Sequence, residues 1–198
     1  MNTSDAINEA LAVLKKGGVI LYPTDTVWGI GCDATNEAAV SKVFEIKRRS
    51  EAKSLVLLAC DLDMVAKYVR EIPSMAIDLV EVNDSPMTII YPGAQYLAPN
   101  AVAEDGSVGI RVPYVEEDAV GGPALFCREL VRRLRRPLVS TSANISGEPT
   151  PERWADISEE IKAAVDWCAP RSLEAGSTGK ASQIIKLGLH NEVTIIRG

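Results

Sequence analysis

The chain has 198 residues, 46% of them hydrophobic and 24% charged, a composition typical of one globular domain without disordered or repetitive segments. Its net charge of −6 argues against a general polyanion-binding role, and its apolar runs are too short to cross a bilayer. Its four cysteines form no C-x-x-C pair, which argues against a zinc knuckle and a disulfide framework.

Helices and strands follow one another without a regular repeat in the first half of the chain. Apolar residues spaced three and four apart predict helices over residues 5–16, 37–48, 61–69 and 73–82. Asn36 and Asp61 are suited to cap the second and third of these helices. Short apolar runs predict strands over residues 18–22, 27–32, 54–59 and 87–91. The first two strands are close enough in sequence to form a hairpin.

The second half of the chain is also mixed. It is predicted to contain a strand over 108–112, a helix over 122–135, a brief strand over 138–140, a helix within 152–165, and strands near 165–168, 182–187 and 192–197. No linker divides the sequence, so we expect a single domain over residues 1–198. Several strands are not followed by a helix, which favours an α/β protein of the α+β type, with a twisted mixed sheet flanked by helices. The polar N-terminus lacks the features of a signal peptide, so we expect a cytoplasmic protein.

The stretch over residues 22–34 places polar side chains at the end of a buried strand. Pro23 lacks a backbone donor and is expected to end the strand, and a Thr-Asp-Thr tripeptide follows at 24–26. Gly29 and Gly31 carry no side chain, so another group can approach the backbone closely. This pattern is typical of a binding site at a strand end, although a turn whose polar side chains bond to their own backbone has the same composition.

Three further segments carry polar or basic residues near strand ends, at 47–53, 107–111 and 140–144. Together with residues 24–26 they supply cations and many hydroxyls but few carboxylates, which favours a phosphate-bearing ligand. Neither a Walker A sequence nor a G-x-G-x-x-G loop after a strand is present. The basic residues could alternatively be solvated helix ends, and this interpretation is favoured for the second basic cluster, which precedes Pro137.

Arg111 lies between Ile110 and Val112 in a predicted strand, so its side chain points to the face opposite theirs. A buried arginine needs an anion. That anion is either the carboxylate of a substrate or one of the chain's own acids.

Three motifs in order resemble the YrdC/Sua5 family: P-T-D-T-V-W-G-I-G at 23–31, K-x-R at 47–49 with Lys53 beyond it, and S-T-S-A-N at 140–144. The resemblance extends over nearly the whole chain and corresponds to the single-domain form of the family. It implies a YrdC/RibB-like fold with a concave, basic cavity. It also implies synthesis of L-threonylcarbamoyladenylate from L-threonine, bicarbonate or CO2, and ATP, with release of pyrophosphate, for the t6A modification of tRNA at position 37.

The resemblance also implies roles for individual residues. Threonine is expected to bind to Thr26, Arg111, Ser140 and Ser182. ATP is expected to bind to Lys47, Arg49, Lys53, Ser107, Ser142, Asn144 and Arg197. No catalytic side chain is needed, because the carbamate of threonine is itself the nucleophile that attacks the α-phosphorus. Mg2+ is expected to be carried on the ATP phosphates rather than in a protein site.

Some positions depart from the family pattern, notably Leu58 where histidine or another polar residue is common, Gln183 where threonine is usual, and Lys186 where aspartate is common. Two other functions therefore stay open at this point. One is a non-catalytic protein that binds double-stranded RNA or tRNA through the same basic concavity. Other proteins of the t6A pathway are further expected partners. The other is a relative of dihydroxybutanone-phosphate synthase, which needs acidic metal ligands and a histidine that we cannot assemble around His190.

Overall fold

The structure of the protein is a computed structural model that describes residues 2–50, 55–115, 119–190 and 192–198. The α-helices among these residues are α1 (Thr3–Lys15), α2 (Glu37–Ile46), α3 (Leu62–Tyr68), α4 (Ser74–Val82), α5 (Pro123–Leu134) and α6 (Glu159–Ala164). The strands are β1 (Ile20–Pro23), β2 (Trp28–Gly31), β3 (Val56–Leu58), β4 (Met87–Tyr91), β5 (Val108–Arg111), β6 (Leu138–Val139), β7 (Thr141–Ser142), β8 (Trp167–Cys168), β9 (Gln183–Leu187) and β10 (Val193–Arg197). Short 3-10 helices lie at Pro99–Ala101, Trp154–Asp156 and Arg171–Glu174.

Side-chain caps begin the helices where the sequence predicts them. The Asn36 side chain accepts a hydrogen bond from the backbone N–H of Ala39 (3.1 Å), and Asp61 accepts one from Met64 (2.7 Å). The helix expected within 152–165 is instead a 3-10 turn followed by α6. The reason is Ser158, whose hydroxyl caps a new helix at this point and so separates the two pieces.

The strands form two mixed sheets instead of the single sheet that the sequence predicted. A four-stranded sheet has the order β7-β2-β1-β8, and a six-stranded sheet has the order β10-β9-β4-β5-β3-β6. β1 and β2 pair as the expected antiparallel hairpin, whereas β1 pairs with β8 in parallel. Most other pairings join strands distant in sequence, which local patterns cannot specify. The mixed α/β class itself is confirmed.

The two sheets meet where the chain crosses from one to the other at Ser140. This residue separates β6, in the six-stranded sheet, from β7, in the four-stranded sheet. The contact is reinforced on the other side by a hydrogen bond from the Val139 N–H to the Cys32 carbonyl (2.8 Å). Residues of both sheets, together with Ser140, line a cleft.

The apolar faces of the helices pack into one core with the strands. α1 packs against α5, and both helices bury an apolar stripe that joins one continuous core with the inner strands. In the described part of the chain, no helix combines the length and the apolar character that crossing a membrane requires.

Candidate functional site

The cleft between the two sheets encloses about 730 Å³ of empty space, including the part open to solvent. Seven hydroxyl side chains line it: Thr24, Thr26, Ser140, Thr141, Ser142, Thr150 and Ser182. Three arginines line it as well: Arg49, Arg111 and Arg197. None of the described residues on its walls is a carboxylate. An anionic ligand with several oxygen atoms suits such a surface, because hydroxyls and guanidinium groups donate hydrogen bonds to it.

The turn between β1 and β2 forms one wall of the cleft. The Thr24 hydroxyl donates to the Val27 carbonyl (2.8 Å) and lies 2.7 Å from the Thr26 hydroxyl. Since the Thr24 hydrogen is already used, the Thr26 hydroxyl donates to Thr24 and keeps both of its lone pairs to accept from another partner. Behind the turn, the Thr178 and Gly179 N–H groups donate to the carbonyls of Asp25 and Thr26 (2.9 and 2.8 Å). The turn is therefore held by its own threonine hydroxyls and by the backbone of residues 178 and 179.

Arg111 projects from the end of β5 into the cleft, and the structure identifies an acid of the chain as its partner. Its Nη1 lies 2.5 Å from Oδ1 of Asp25, and the two side chains are only 4% and 14% exposed. The sequence left open whether Arg111 pairs with a substrate or with the protein. The ion pair with Asp25 shows that Arg111 pairs with the protein. Because Arg111 also lines the cleft and a guanidinium has five N–H donors, it can bind a substrate carboxylate as well.

The two glycines of β2 have different roles. A Cβ on Gly31 would lie 2.0 Å from the Val139 carbonyl oxygen, so the close approach that the sequence predicted is made by the protein's own backbone. Gly29 lines the cleft, where an added Cβ would lie 3.4 Å from Oγ of Ser140. One glycine thus allows the two sheets to join, and the other leaves room beside Ser140.

Ser182 and Arg197 form the opposite wall. The Ser182 hydroxyl is 2.8 Å from that of Thr88 on β4. Nε and Nη2 of Arg197 both donate to the Ser182 carbonyl (2.9 and 2.6 Å). These bonds hold the edge strand β10 against the start of β9, so that Arg197 reaches the rim of the cleft.

Arg49, Ser142 and Thr150 lie on a third side of the cleft. Nη1 of Arg49 is 3.5 Å from the Thr141 hydroxyl, and burial lowers the pKa of this guanidinium from its usual value. The structure thus brings together seven of the residues proposed from the sequence: Thr26, Arg49, Arg111, Ser140, Ser142, Ser182 and Arg197. Lys53 lies outside the described residues.

Three other proposed residues do not line the cleft. Ser107 is at the opposite end of β5 from Arg111, and its hydroxyl bonds to Asp105 (2.5 Å). The Asn144 amide group donates to the carbonyls of Ile145 and Glu148 (3.0 and 2.8 Å). Their expected contacts with ATP stay predictions.

Lys47 is the third of these, and it faces the interior. Its ammonium donates to the carbonyls of Ser142 and Asn144, and its side chain is almost completely buried. Burial, and secondly the nearby charge of Arg49, lower the pKa of Lys47 from 10.5 to about 8.

The sequence missed the residues that hold the 149–178 segment beside the cleft. One carboxylate oxygen of Glu174 accepts from the Trp28 indole N–H and from the Trp154 backbone N–H, both at 2.5 Å. The two indole rings also contact each other, with centroids 4.9 Å apart. Thr150 belongs to this segment and lines the cleft. Strand alternation and helix periodicity contain no signal for such a contact.

The cysteine thiols and the histidine imidazole lie away from the walls of the cleft. Cys32 and Cys127 are buried, and burial raises the pKa of both thiols well above the usual value. His190 is exposed in the turn after β9. Among the described residues there is also no group of three or more His, Cys, Asp or Glu side chains that could hold a metal ion.

A family model described as "Telomere recombination", which groups Sua5, YciO and YrdC proteins, matches residues 12–198. The chain belongs to the Sua5/YciO/YrdC family. Among its relatives, the threonylcarbamoyl-AMP synthase of Chromohalobacter salexigens is 33% identical over 164 residues, or 82% of this chain and 84% of that protein. The threonylcarbamoyl-AMP synthase of Stenotrophomonas maltophilia is 33% identical over 180 residues, or 89% of each chain.

A solved structure of a double variant of P. abyssi Sua5 superposes with a TM-score of 0.82 at 24% identity. The match covers 100% of this chain and 57% of that one, so the chain spans little more than half the length of the P. abyssi protein. This likeness confirms the expected YrdC-like fold.

The departures from the Sua5/YciO/YrdC pattern now have positions in the fold. Leu58 is buried at the end of β3, paired with Arg111 of β5. Gln183 is exposed at the start of β9. Lys186 pairs with Asp105 (2.6 Å), and this contact together with Ser107 holds the pKa of the Asp105 carboxyl far below its usual range. None of the three lines the cleft.

Proposed function

We propose that the protein is an L-threonylcarbamoyladenylate synthase, which converts L-threonine, bicarbonate and ATP to threonylcarbamoyl-AMP and pyrophosphate. The observation that carries this proposal is its 33% identity, over most of the chain, to two proteins named threonylcarbamoyl-AMP synthase. The composition of the cleft supports it, because the walls are rich in hydroxyls and arginines.

The chemistry needs no nucleophile from the protein. The neutral amine of threonine adds CO2, forming an N–C bond and losing a proton, to give a carbamate. A carbamate oxygen then attacks the α-phosphorus of ATP as the bond to the bridging oxygen breaks, and pyrophosphate leaves with that electron pair. The protein accelerates these steps by aligning the reactants and by stabilising the charge on the phosphates.

Threonine is assigned to the part of the cleft between the β1–β2 turn and the end of β5. Arg111 receives the carboxylate through N–H groups other than the one bonded to Asp25. The Thr26 hydroxyl, which retains its acceptor lone pairs, and the hydroxyls of Ser140 and Ser182 are the polar partners of the substrate. Apolar lining residues such as Val27 supply a contact for the threonine methyl group.

ATP is assigned to the side of the cleft formed by Arg49, Ser142, Thr150 and Arg197. The two arginines neutralise phosphate charge, and the hydroxyls donate to the remaining phosphate oxygens. We take the nucleotide as its Mg2+ complex, with the ion bound by phosphate oxygens and water and entering as part of the substrate. Lys53 is included in the ATP site on the basis of its motif position alone.

The product is an activated acyl donor, and we assign it to the t6A modification of tRNA at position 37, in the cytoplasm. Direct contact with tRNA or with other proteins of that pathway is a further part of the proposal. It is tested by titrating labelled tRNA at low and high salt, since binding through phosphate contacts weakens steeply as salt rises.

Pyrophosphate release from ATP is the decisive assay. We expect release only when threonine and bicarbonate are both present, so mixtures lacking either one are the controls. Serine lacks the methyl group, and we expect its kcat/KM to be lower by about fivefold or more. A pure, folded protein that binds ATP but releases no pyrophosphate with any amino acid would refute the proposal.

A further inference from the structure

The end of helix α2 is tied to the segment over residues 142–146 by one buried lysine. Lys47 follows the last residue of α2, and its side chain is 1% exposed. Its ammonium donates to the carbonyls of Ser142 and Asn144, the latter at 2.7 Å. Its own carbonyl accepts from the Ser146 N–H (2.8 Å). Three hydrogen bonds therefore join one residue to a five-residue segment.

The same segment forms part of the cleft wall on its other side. Ser142 pairs with Gly29 across β7 and β2, and the Ala143 N–H donates to the Trp28 carbonyl (2.9 Å). With the carbonyls of the segment turned inward to Lys47, the Ser142 side chain is left on the cleft wall. The position of this side chain thus depends on β2 and on the ammonium together.

Resting on the proposed function, we infer that Lys47 is a positioning residue: its buried ammonium fixes the 142–146 segment for ATP, next to Arg49, without contacting the nucleotide. The groups that hold the ammonium are carbonyls, and in the described part of the chain no carboxylate forms an ion pair with it. Its positive charge therefore adds to that of Arg49 at the phosphate side of the cleft.

The protonation of Lys47 is expected to change when ATP binds. Arg49 is the charged neighbour of Lys47, and the 142–146 segment presents no titratable side chain. Bound phosphates bring negative charge close to both cations, which favours the protonated form of Lys47. Since burial and Arg49 lower its pKa to about 8, Lys47 is about half protonated at pH 8 before ATP binds. ATP binding at that pH is therefore expected to take up as much as about half a proton.

Calorimetric titration with MgATP in the absence of threonine tests the inference, because the threonine amine then cannot contribute protons. Titrations at pH 8 in buffers of different ionisation enthalpy give the proton uptake. The variant Lys47→Met removes the charge at similar length, and Lys42→Met, on the exposed face of the same helix, is the matched control. We expect Lys47→Met to weaken MgATP binding by about tenfold and to abolish the proton uptake, and Lys42→Met to change neither.

Unchanged MgATP affinity in folded Lys47→Met would overturn the inference. If this variant does not fold, the wild-type titration decides, since no proton uptake at pH 8 would also overturn it. Failure of the proposed function looks different: wild-type protein would then bind no ATP, or would release no pyrophosphate whatever the state of Lys47.

Discussion

Removal of the Arg111 guanidinium is expected to impair both folding and threonine binding. In Arg111→Ala the Asp25 carboxylate loses a partner at 2.5 Å while its side chain stays only 14% exposed. Breaking a buried ion pair by removing one member costs about 3–5 kcal/mol of stability. Because Asp25 retains some contact with water, we expect the lower end, about 3 kcal/mol, which lowers Tm by about 6–12 °C in a chain of this size.

Two further variants separate the effect of burial on stability from the effect of the positive charge. Arg48→Ala removes an arginine that also lies 2.5 Å from a carboxylate, that of Glu160. The side chains of this pair are 66% and 55% exposed. Its expected cost is below about 1 kcal/mol. Arg111→Lys keeps a positive charge for Asp25 but loses the planar fork that binds a carboxylate. We therefore expect Arg111→Lys to retain most of the stability and still to bind threonine poorly.

Urea unfolding monitored by tryptophan fluorescence and threonine-dependent pyrophosphate release measure the two effects separately. The expected result is a threonine KM raised at least about tenfold in both Arg111 variants, with a large loss of stability only in Arg111→Ala. An Arg111→Ala protein as stable as Arg48→Ala would refute the ion-pair reasoning. One that unfolds easily but keeps a normal threonine KM would refute the substrate contact.

Two further predictions concern the phosphate side of the cleft. Arg49→Ala is expected to weaken MgATP binding by about tenfold or more, because a charge-assisted contact is lost. The neighbouring variant Arg48→Ala should bind MgATP normally. Equal affinities of the two variants in calorimetry would contradict this prediction. The second concerns pH: the pKa of Lys47 is about 8 in the folded protein and 10.5 ordinarily, so the unfolded state binds more protons between these values. From pH 8 to 10.5, the free energy of unfolding of the wild type should therefore rise relative to that of Lys47→Met by up to about 3 kcal/mol. If urea unfolding shows that the difference between the two proteins does not change with pH, the shifted pKa of Lys47 is excluded.

Much of the site could be predicted because it is built at strand ends. Period-two alternation placed the Arg111 side chain on the face opposite Ile110, and Pro23 located the end of β1. The same alternation could not show that Ser107, on the same face as Arg111, lies four residues and about 13 Å away along the strand. A residue can share a face with a site and still lie outside it.

The inward direction of Lys47 did have a signal in the sequence. Val40, Val43 and Phe44 form the buried face of α2, and position 47 continues that spacing of three and four residues. The K-x-R motif predicted a contact between Lys47 and ATP, whereas the position of Lys47 on the helix predicts burial. Thr150 had no comparable signal, since a long-range contact through Glu174 holds its segment.

The two ends of the cleft differ in net charge, and this difference supports the proposed placement of the two substrates. Asp25 balances Arg111, so the threonine end contains a neutral ion pair that can accept a single carboxylate. Lys47 is held by uncharged carbonyls, so its charge adds to that of Arg49 beside Ser142. A triphosphate carries far more negative charge than threonine and is therefore drawn to the second end, although the whole chain carries a net charge of −6. In the proposed reaction, threonine at the first end and the triphosphate at the second would bring the carbamate oxygen towards the α-phosphorus, as the attack requires.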